Sequence, residues 1–194
     1  MAVNGVVERV VAGASAVIAE RGWSGLTLAR VAEAAGLSRM TLHRHGLGRE
    51  EILGLLAQAY EADFRETLTP VVDRPGPVPD RLRAALHAVC DVTERHLGFL
   101  LGLDEETDRA FFHERRGSVR SREGYVEAIE QLLGEGVGDG SIRCLDVGEA
   151  ATVLVNATDR TYRHLRGAHA WPEDRARSLL VDLLLDGVVA VRVA

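Results

Sequence analysis

The sequence predicts an all-α protein, with an N-terminal unit of three helices arranged as a helix-turn-helix and a larger helical domain, about nine helices in all. Two observations predict this fold class. Apolar residues recur at helical spacing through most of the 194 residues, and the composition is 46% hydrophobic but only 5% aromatic, with Ala, Leu and Val dominant. The length is sufficient for one large or two small domains.

The clearest break in the helical pattern is PVVDRPGPVP, residues 70–79, because its prolines and glycine are expected to end a helix. A long helix is predicted just before it, from Arg49 to Thr69. We therefore predict a first domain over residues 1–48 and a second over 49–194, with helix 49–69 as the connector between them.

The first two helices are predicted from their ends. Asn4 is a suitable N-cap for a helix that runs to about Arg21. Thr27 is a suitable N-cap for a short helix to Ala34, in which Leu28, Val31 and Ala32 form an apolar face at helical spacing.

A tight turn and a third helix follow. Gly36 stands where a helix C-terminus commonly needs a left-handed residue, and Leu37 can turn inward at the corner. Ser38 is a suitable N-cap for a helix over residues 39–45, whose outer surface would carry Arg39, Thr41 or His43, and Arg44. This pattern is typical of a helix-turn-helix whose second helix can enter a major groove, although a solvated helical pair could show it too.

The charge distribution favours a nucleic-acid-binding role for this region. Residues 21–49 carry a net charge of +4, whereas the whole chain carries −6, so the remainder carries −10. A basic patch on an acidic protein is the expected signature of a phosphate-binding face.

Residues 19–53, AERGWSGLTLARVAEAAGLSRMTLHRHGLGREEIL, resemble the DNA-binding domain of the TetR family of bacterial regulators. The resemblance covers roughly residues 6–56 and includes the order and spacing of T-x-x-x-V-A-x-x-A-G-L-S, T-L-x-x-H and R-E-E-I-L. It implies an inverted-repeat operator read by a homodimer. The expected DNA-binding residues are Thr27, Ser38, Arg39, Met40, Thr41, His43, Arg44, His45 and Arg49.

Arg39, Thr41 and Arg44 are the candidates for contacts to bases, and Thr27, His43, His45 and Arg49 for contacts to phosphates. The sequence departs from the family at two positions. The family commonly has Tyr in place of His43 and Phe in place of Gly46. His43 can still donate to a phosphate, and Leu47 is expected to fill the place of the missing phenyl ring.

The second domain is predicted to continue with a helix from Asp80 to His96, a short apolar piece over residues 97–103, and a helix from Phe111 to about Gly134. Four glycines between residues 134 and 140 are expected to end that helix. Two final helices, residues 147–166 and 172–191, form an antiparallel pair. The last has apolar residues over more than one narrow stripe, which favours a homodimer interface over burial within one subunit.

A small-molecule pocket is implied by the resemblance and predicted among the helices of the second domain. Its candidate residues are His87, Cys90, Phe99, Phe111, Phe112, Asn156 and Tyr162, which combine apolar surfaces with a few polar points. The segments EQLLGEGVGDGSIR and NATDRTYRHL resemble regulators that respond to fatty-acyl or steroid-derived coenzyme A thioesters. The expected protein is a repressor released by a small apolar or amphipathic effector. The alternative is a DNA-binding regulator whose helical domain binds a protein.

The sequence does not predict an enzyme, a cofactor or a metal site. His164 and His169 are five residues apart with a glycine between them, which makes them a poor ligand pair, and the glycines of GEGVGDG lack the context of a nucleotide-binding loop. Cys90 and Cys144 are too few for a disulfide framework, and no apolar span is long enough for a membrane helix. A cytoplasmic location is therefore expected.

Overall fold

The computed structural model describes residues 3–105, 119–143 and 146–188, and the side chains of all of these except residues 3–4, 104–105 and 119–125. Nine α-helices and no β-strand occur in these ranges, which confirms the all-α prediction. The helices are α1 (Val3–Arg21), α2 (Leu28–Ala34), α3 (Arg39–Arg44), α4 (Arg49–Val72), α5 (Val78–Arg95), α6 (Leu97–Glu105), α7 (Val119–Asp139), α8 (Val147–Gly167) and α9 (Glu173–Asp186).

The described residues form two compact units. The first contains residues 1–62 and 96–108, and the second contains residues 63–95 and 109–194, in each case as far as they are described. Helix α4 runs through the boundary between them, so its first part belongs to one unit and its last part to the other.

The first unit is built on α1, which packs against α2 and α6, while α2 also packs against α3. Burial of apolar side chains stabilises this arrangement because each helix presents one apolar face to its neighbours. The buried side chains include Val10, Ala14, Ile18, Val31, Leu42, Ile52, Leu56, Phe99 and Leu100.

Helix α6 is attached to the first unit by Trp23. The ring centroid of Trp23 lies 6.2 Å from that of Phe99, and a Cβ atom at Gly102 would overlap the indole. Residues 97–103, predicted as a short apolar piece, form most of helix α6, and Gly102 lets the backbone of this helix approach the Trp23 ring closely.

The second unit consists of α5, α7, α8 and α9 with the last part of α4. Helix α8 packs against α5, α7 and α9, and α5 packs against α7 and α9. The core between these helices includes Phe64, Leu82, Leu86, Val89, Ile129, Leu132, Leu133, Leu154, Tyr162, Val181 and Leu185.

Three predicted helix ends are wrong. The last helix, predicted to run to residue 191, ends at Asp186. Helix α4 does not stop before Pro70 but continues to Val72. A proline removes one hydrogen bond from a helix interior, and the last turn of α4 is held instead by the burial of Val72 and by the bond from Nε of Arg81 to the Val72 carbonyl oxygen at 3.1 Å. Helix α7 does not stop at Gly134 but continues through Gly138 to Asp139, before Gly140 adopts a left-handed φ of 76°.

The persistence of α7 through its glycines has a packing reason at Gly136. A Cβ atom there would overlap Cγ1 of Ile142 and lie 3.0 Å from Cγ1 of Val78, so a larger residue does not fit. The Ile142 amide also donates to the Gly136 carbonyl oxygen at 2.9 Å.

Alanine substitutions at two neighbouring glycines of α7 should have opposite effects. Gly136→Ala is expected to lower the free energy of unfolding by about 1–3 kcal/mol, because the added methyl group overpacks the contact with Ile142. Gly134→Ala meets nothing within 4 Å and is expected to raise it by about 0.5–1 kcal/mol. Urea unfolding measures the free energy of unfolding of both variants. Equal changes in the two variants would contradict the packing contact between Gly136 and Ile142.

No helix in the part of the chain that the structure describes is both long enough and apolar enough to cross a membrane.

Candidate nucleic-acid interface

Side-chain caps define both helices of the helix-turn-helix. The Arg30 amide donates to Oγ1 of Thr27 at 3.4 Å, and the Thr41 amide donates to Oγ of Ser38 at 3.0 Å. Between the helices, Gly36 has a φ of 61°, and the Leu37 amide donates to the Ala32 carbonyl oxygen at 2.8 Å. Glycine adopts this left-handed conformation without the steric cost that a side chain adds, so it suits a short turn between α2 and α3.

Helix α3 is anchored by one buried residue and exposes most of the others. Leu42 is buried, whereas Arg39, Met40, His43 and Arg44 are exposed, Met40 to 76%. Thr41 is half-buried, and its hydroxyl group lies 2.8 Å from that of Ser38. The exposed surface of α3 is therefore cationic with one large apolar side chain, a combination suited to base edges and phosphates.

The end of α3 is fixed by His45 and Gly46. His45 is half-buried and caps the helix through its amide, and Gly46 has a φ of 64°. The Leu47 amide then donates to the Leu42 carbonyl oxygen at 2.9 Å, and Leu47 is itself half-buried. Gly46 is therefore suited to a left-handed backbone that a phenylalanine would adopt only with strain.

Arg9 of α1 was not singled out from the sequence, yet it contacts the turn between α2 and α3. Its Nε and Nη2 atoms donate to the carbonyl oxygens of Ala35 and Gly36 at 2.9 and 2.6 Å. Arg9 thus satisfies carbonyl groups at the end of α2. It also lines a cleft of about 440 Å³ beside α3, together with Val6, Gly36, Leu37, Ser38, Thr41, Arg44 and His45. A regular spacing of apolar residues in α1 cannot reveal such a contact.

Arg49, which is predicted to contact phosphate, lies at the start of α4 and is hydrogen-bonded to Leu26, the residue before Thr27. Its Nη1 atom donates to the Leu26 carbonyl oxygen at 2.7 Å, and its guanidinium carbon lies 5.4 Å from the centroid of the Trp23 ring. Thr27 in turn uses its hydroxyl oxygen as the cap of α2. These two residues therefore position the helix-turn-helix in the structure.

Leu28, predicted to share the apolar face of α2 with Val31 and Ala32, is 41% exposed and does not belong to the buried part of that face. Val31, Ala32 and Ala35 carry the buried face of α2 without it. Leu28 is the first residue of α2, and helical side chains lean toward the N-terminus, so its side chain extends past the end of the packed surface.

The residues predicted to bind an effector are distributed over both units. His87, Cys90, Asn156 and Tyr162 lie on α5 and α8 of the second unit. Phe99 belongs to the first unit, where its ring packs near Trp23, and Phe111 and Phe112 lie outside the described residues.

These four residues of the second unit differ in their surroundings. Cys90 is fully buried, which raises the pKa of its thiol to about 12. The Nδ1 atom of His87 is buried without a hydrogen-bond partner, and burial, with Arg177 nearby, lowers the pKa of this ring. The Asn156 amide group donates to the Thr152 carbonyl oxygen at 2.7 Å. Tyr162 is fully buried and donates its hydroxyl proton to Glu94 at 2.9 Å.

Glu94 joins α5 to α8 in a network that the sequence did not predict. Its two carboxylate oxygens accept from Nη2 and Nε of Arg166 at 2.6 and 2.8 Å, in addition to the Tyr162 hydroxyl. The hydrogen bond from Arg166, followed by that from Tyr162, lowers the pKa of the Glu94 carboxyl against the effect of burial. Tyr162 and Arg166 stand four residues apart on α8, which places both on one helical face.

Replacing this carboxylate should destabilise the protein in a pH-dependent way. Glu94→Gln is expected to cost about 2 kcal/mol at neutral pH, because hydrogen bonds to a charged group are among the stronger ones. Since the folded protein has the lower Glu94 pKa, the stabilisation is present above about pH 5 and is lost as the pH falls through the lowered value. Thermal unfolding of the wild type and Glu94→Gln between about pH 3.5 and 7 measures this pH dependence. A difference in stability that stays constant over this range would contradict the lowered pKa of Glu94.

The last two described helices expose apolar side chains. Val153 of α8 is 62% exposed, and Leu179 and Leu183 of α9 are 44% and 64% exposed. Leu179 and Leu183 lie one helical turn apart and therefore share a face, whereas Leu180, Val181 and Leu185 of the same helix are buried. A helix with apolar residues on two sides is typical of one that meets a second surface.

Known proteins provide an independent comparison. Residues 10–54 match the family described as bacterial regulatory proteins, tetR family, and residues 75–188 match the tetracyclin repressor-like C-terminal domain. No curated protein sequence matches the chain. The two family matches together cover most of the sequence, including the helix-turn-helix and the second compact unit.

Solved structures show the same fold at low identity. The ketosteroid transcriptional regulator of Mycobacterium tuberculosis is 20% identical with a TM-score of 0.73, and the match covers 98% of each chain. A TetR/AcrR-family regulator from Thermobifida fusca is 19% identical with a TM-score of 0.74, covering 93% of this chain and 97% of its own. The regulator PfmR from Thermus thermophilus is 22% identical with a TM-score of 0.70, covering 91% and 94%. The chain described here belongs to the TetR family of transcriptional regulators and carries its helix-turn-helix DNA-binding domain.

Proposed function

We propose that this regulator is a repressor that binds an inverted-repeat operator as a homodimer and is released by a small apolar or amphipathic effector. The observation that carries the proposal is the surface of α3. Leu42 anchors this helix while Arg39, Met40, His43 and Arg44 remain exposed, on the most basic stretch of an acidic chain. Arginine paired with guanine is the commonest specific contact in a major groove, and Met40 offers an apolar surface for a thymine methyl group.

The exposed residues of α8 and α9 support the homodimer. A single six-residue recognition helix reads few base pairs, whereas two copies about 34–36 Å apart can occupy successive major grooves on one face of the duplex. Val153, Leu179 and Leu183 supply an apolar surface that a second copy of the same helices can cover. A two-fold axis through this surface makes the contact self-complementary.

The path from effector to DNA is proposed to run through α4. Its last part, with Phe64 and Leu68, is buried in the second unit, and Arg49 at its start is bonded to Leu26 in the first. A shift of α4 would therefore be transmitted to the start of α2. To change DNA affinity tenfold, an effector needs to discriminate between the two arrangements by about 1.4 kcal/mol.

The chemical class of the effector is proposed from the composition of the second unit and from one structural neighbour. The described second unit is mainly apolar with a few polar points, and one structural neighbour is a ketosteroid regulator by its name. We propose an apolar or amphipathic molecule, with coenzyme A thioesters as the first class to test.

Selection of genomic fragments from the source organism with the purified protein tests the proposal directly. We expect recovered fragments to share an inverted repeat and complexes with them to dissociate on addition of an acyl coenzyme A or sterol-derived compound. Recovery without any shared sequence would contradict specific operator binding. Stable complexes in the presence of every compound tested would instead favour a helical domain that binds a protein.

A further inference from the structure

We propose that His164 and His169 form a binding site for a divalent transition-metal ion such as Zn²⁺. Their Nε2 atoms lie 3.2 Å apart, although the sequence spacing made them a poor ligand pair. Zinc–nitrogen bonds of about 2.0–2.1 Å at a tetrahedral angle place two ligand nitrogens about 3.3 Å apart. The observed separation therefore matches the distance that one ion requires from two imidazole ligands.

The turn after α8 holds the two rings in place. The Ala168 amide donates to the His164 carbonyl oxygen at 2.9 Å, and the Trp171 amide donates to that of Leu165 at 3.0 Å. Ala170 has a φ of 50°, a conformation that residues other than glycine adopt rarely. Backbone strain of this kind persists only where the surrounding contacts determine it, so the turn fixes the backbone position of His169 relative to His164.

Contacts beyond the turn fix it further. Arg166 donates to the Trp171 carbonyl oxygen and, through the same guanidinium group, to both oxygens of Glu94. The guanidinium carbon of Arg175 lies 4.1 Å from the centroid of the Trp171 ring. Because Arg166 is paired with a carboxylate, its charge is largely compensated beside the histidine pair.

The electrostatic setting also suits a cation. His164 lies in the last turn of α8, where the carbonyl ends of the helix carry a partial negative charge. Both rings are exposed, so an ion can enter, and water can occupy its remaining coordination positions. Imidazole nitrogen is a preferred ligand of Zn²⁺, Cu²⁺ and Ni²⁺.

The proton balance of binding is simple. In the neutral pair, one Nε2 atom donates its hydrogen to the other, so the rings are in different tautomers. An ion bound by both Nε2 atoms requires the Nδ1–H tautomer in each ring, which moves one proton within a ring and releases none.

Calorimetric titration of the tag-free, full-length protein with Zn²⁺ tests the site. We expect a site with a stoichiometry of one ion per chain that His164→Ala and His169→Ala each weaken by more than tenfold. His43→Ala, which removes another exposed histidine, serves as the matched control and should leave Zn²⁺ affinity unchanged. Equal affinity of the wild type and the two site variants would overturn the proposal, as would the absence of binding by the wild type.

A second variant separates a built site from two independent surface histidines. Ala170→Pro retains both imidazole groups, but proline cannot adopt the positive φ that the turn requires. We expect it to weaken Zn²⁺ binding to the level of the single-histidine variants, while circular dichroism confirms that the helices remain. Undiminished binding by a folded Ala170→Pro protein would show that the turn does not create the site.

Discussion

Arg44→Ala is expected to weaken operator binding strongly while leaving the fold intact. Arg44 is exposed at the end of α3, so its removal should change the free energy of unfolding by no more than about 0.5 kcal/mol. An arginine that contacts a guanine contributes about 1–3 kcal/mol to recognition, and a homodimer carries the residue twice. Operator binding should therefore weaken by about 2–6 kcal/mol in fluorescence anisotropy titrations.

The control for Arg44→Ala removes the same charge from another exposed place. Arg65→Ala on α4 changes the net charge equally, away from the helix-turn-helix, and should leave operator binding nearly unchanged. Equal effects of the two variants on affinity would mean that only net charge matters.

The salt dependence of binding identifies the group that Arg44 touches on the DNA. If Arg44 binds a phosphate, its removal should lower the slope of log K against log salt by about one per side chain. If it binds a base, the slope should hardly change, and sequence preference should relax at one position of each half-site.

Leu183→Asp is expected to convert the proposed dimer to a monomer and, through this, to prevent operator binding. The side chain is 64% exposed in the single chain, so an aspartate there should hardly affect the folded subunit. In a two-fold interface the change buries two carboxylates without partners, at about 2 kcal/mol or more each. Dimerisation should weaken about a thousandfold, measurable by analytical ultracentrifugation.

An added carboxylate outside the proposed interface is the comparison for Leu183→Asp. Gln58→Asp places the same side chain at an exposed position of α4 and should leave both dimerisation and DNA binding intact. If Leu183→Asp remained dimeric, α9 would not be part of the interface, and the exposed leucines would need another partner.

The helix-turn-helix could be predicted from the sequence because its signals are local. Thr27 and Ser38 cap their helices and Gly36 takes the left-handed turn as the residue types indicated. Each of these interactions spans only a few residues, so local sequence determines it.

Interactions between distant residues could not be predicted in this way. Three of them join separate elements of the chain: the approach of Gly102 to Trp23, the bonds of Arg9 to the turn after α2, and the pairing of Glu94 with Arg166. Helical periodicity identifies which face of a helix is apolar but not which partner it meets. The glycines of α7 are a further case. From the sequence they are expected to end the helix, and the close approach of Ile142 to Gly136 is visible only in the structure.

The sequence predicts the exposure of the candidate DNA contacts better than it predicts the positions of the candidate effector residues. The proposed DNA-contacting surface consists of neighbouring residues on one short helix, so their exposure could be anticipated. The candidate effector residues have only their residue types in common and come from segments far apart in sequence, and Phe99 lies in the first unit with Trp23 as its neighbour. Residue type alone does not specify which unit a side chain joins.

Operator spacing provides the most direct measurement of whether two copies of α3 act as one rigid reading unit. An operator selected by the protein is compared with a version in which about five base pairs, half a helical turn, are inserted at its centre, which turns the half-sites to opposite faces of the duplex. We expect the insertion to reduce affinity to the level of non-specific DNA. Unchanged affinity for the lengthened operator would contradict a dimer matched to the helical repeat of DNA.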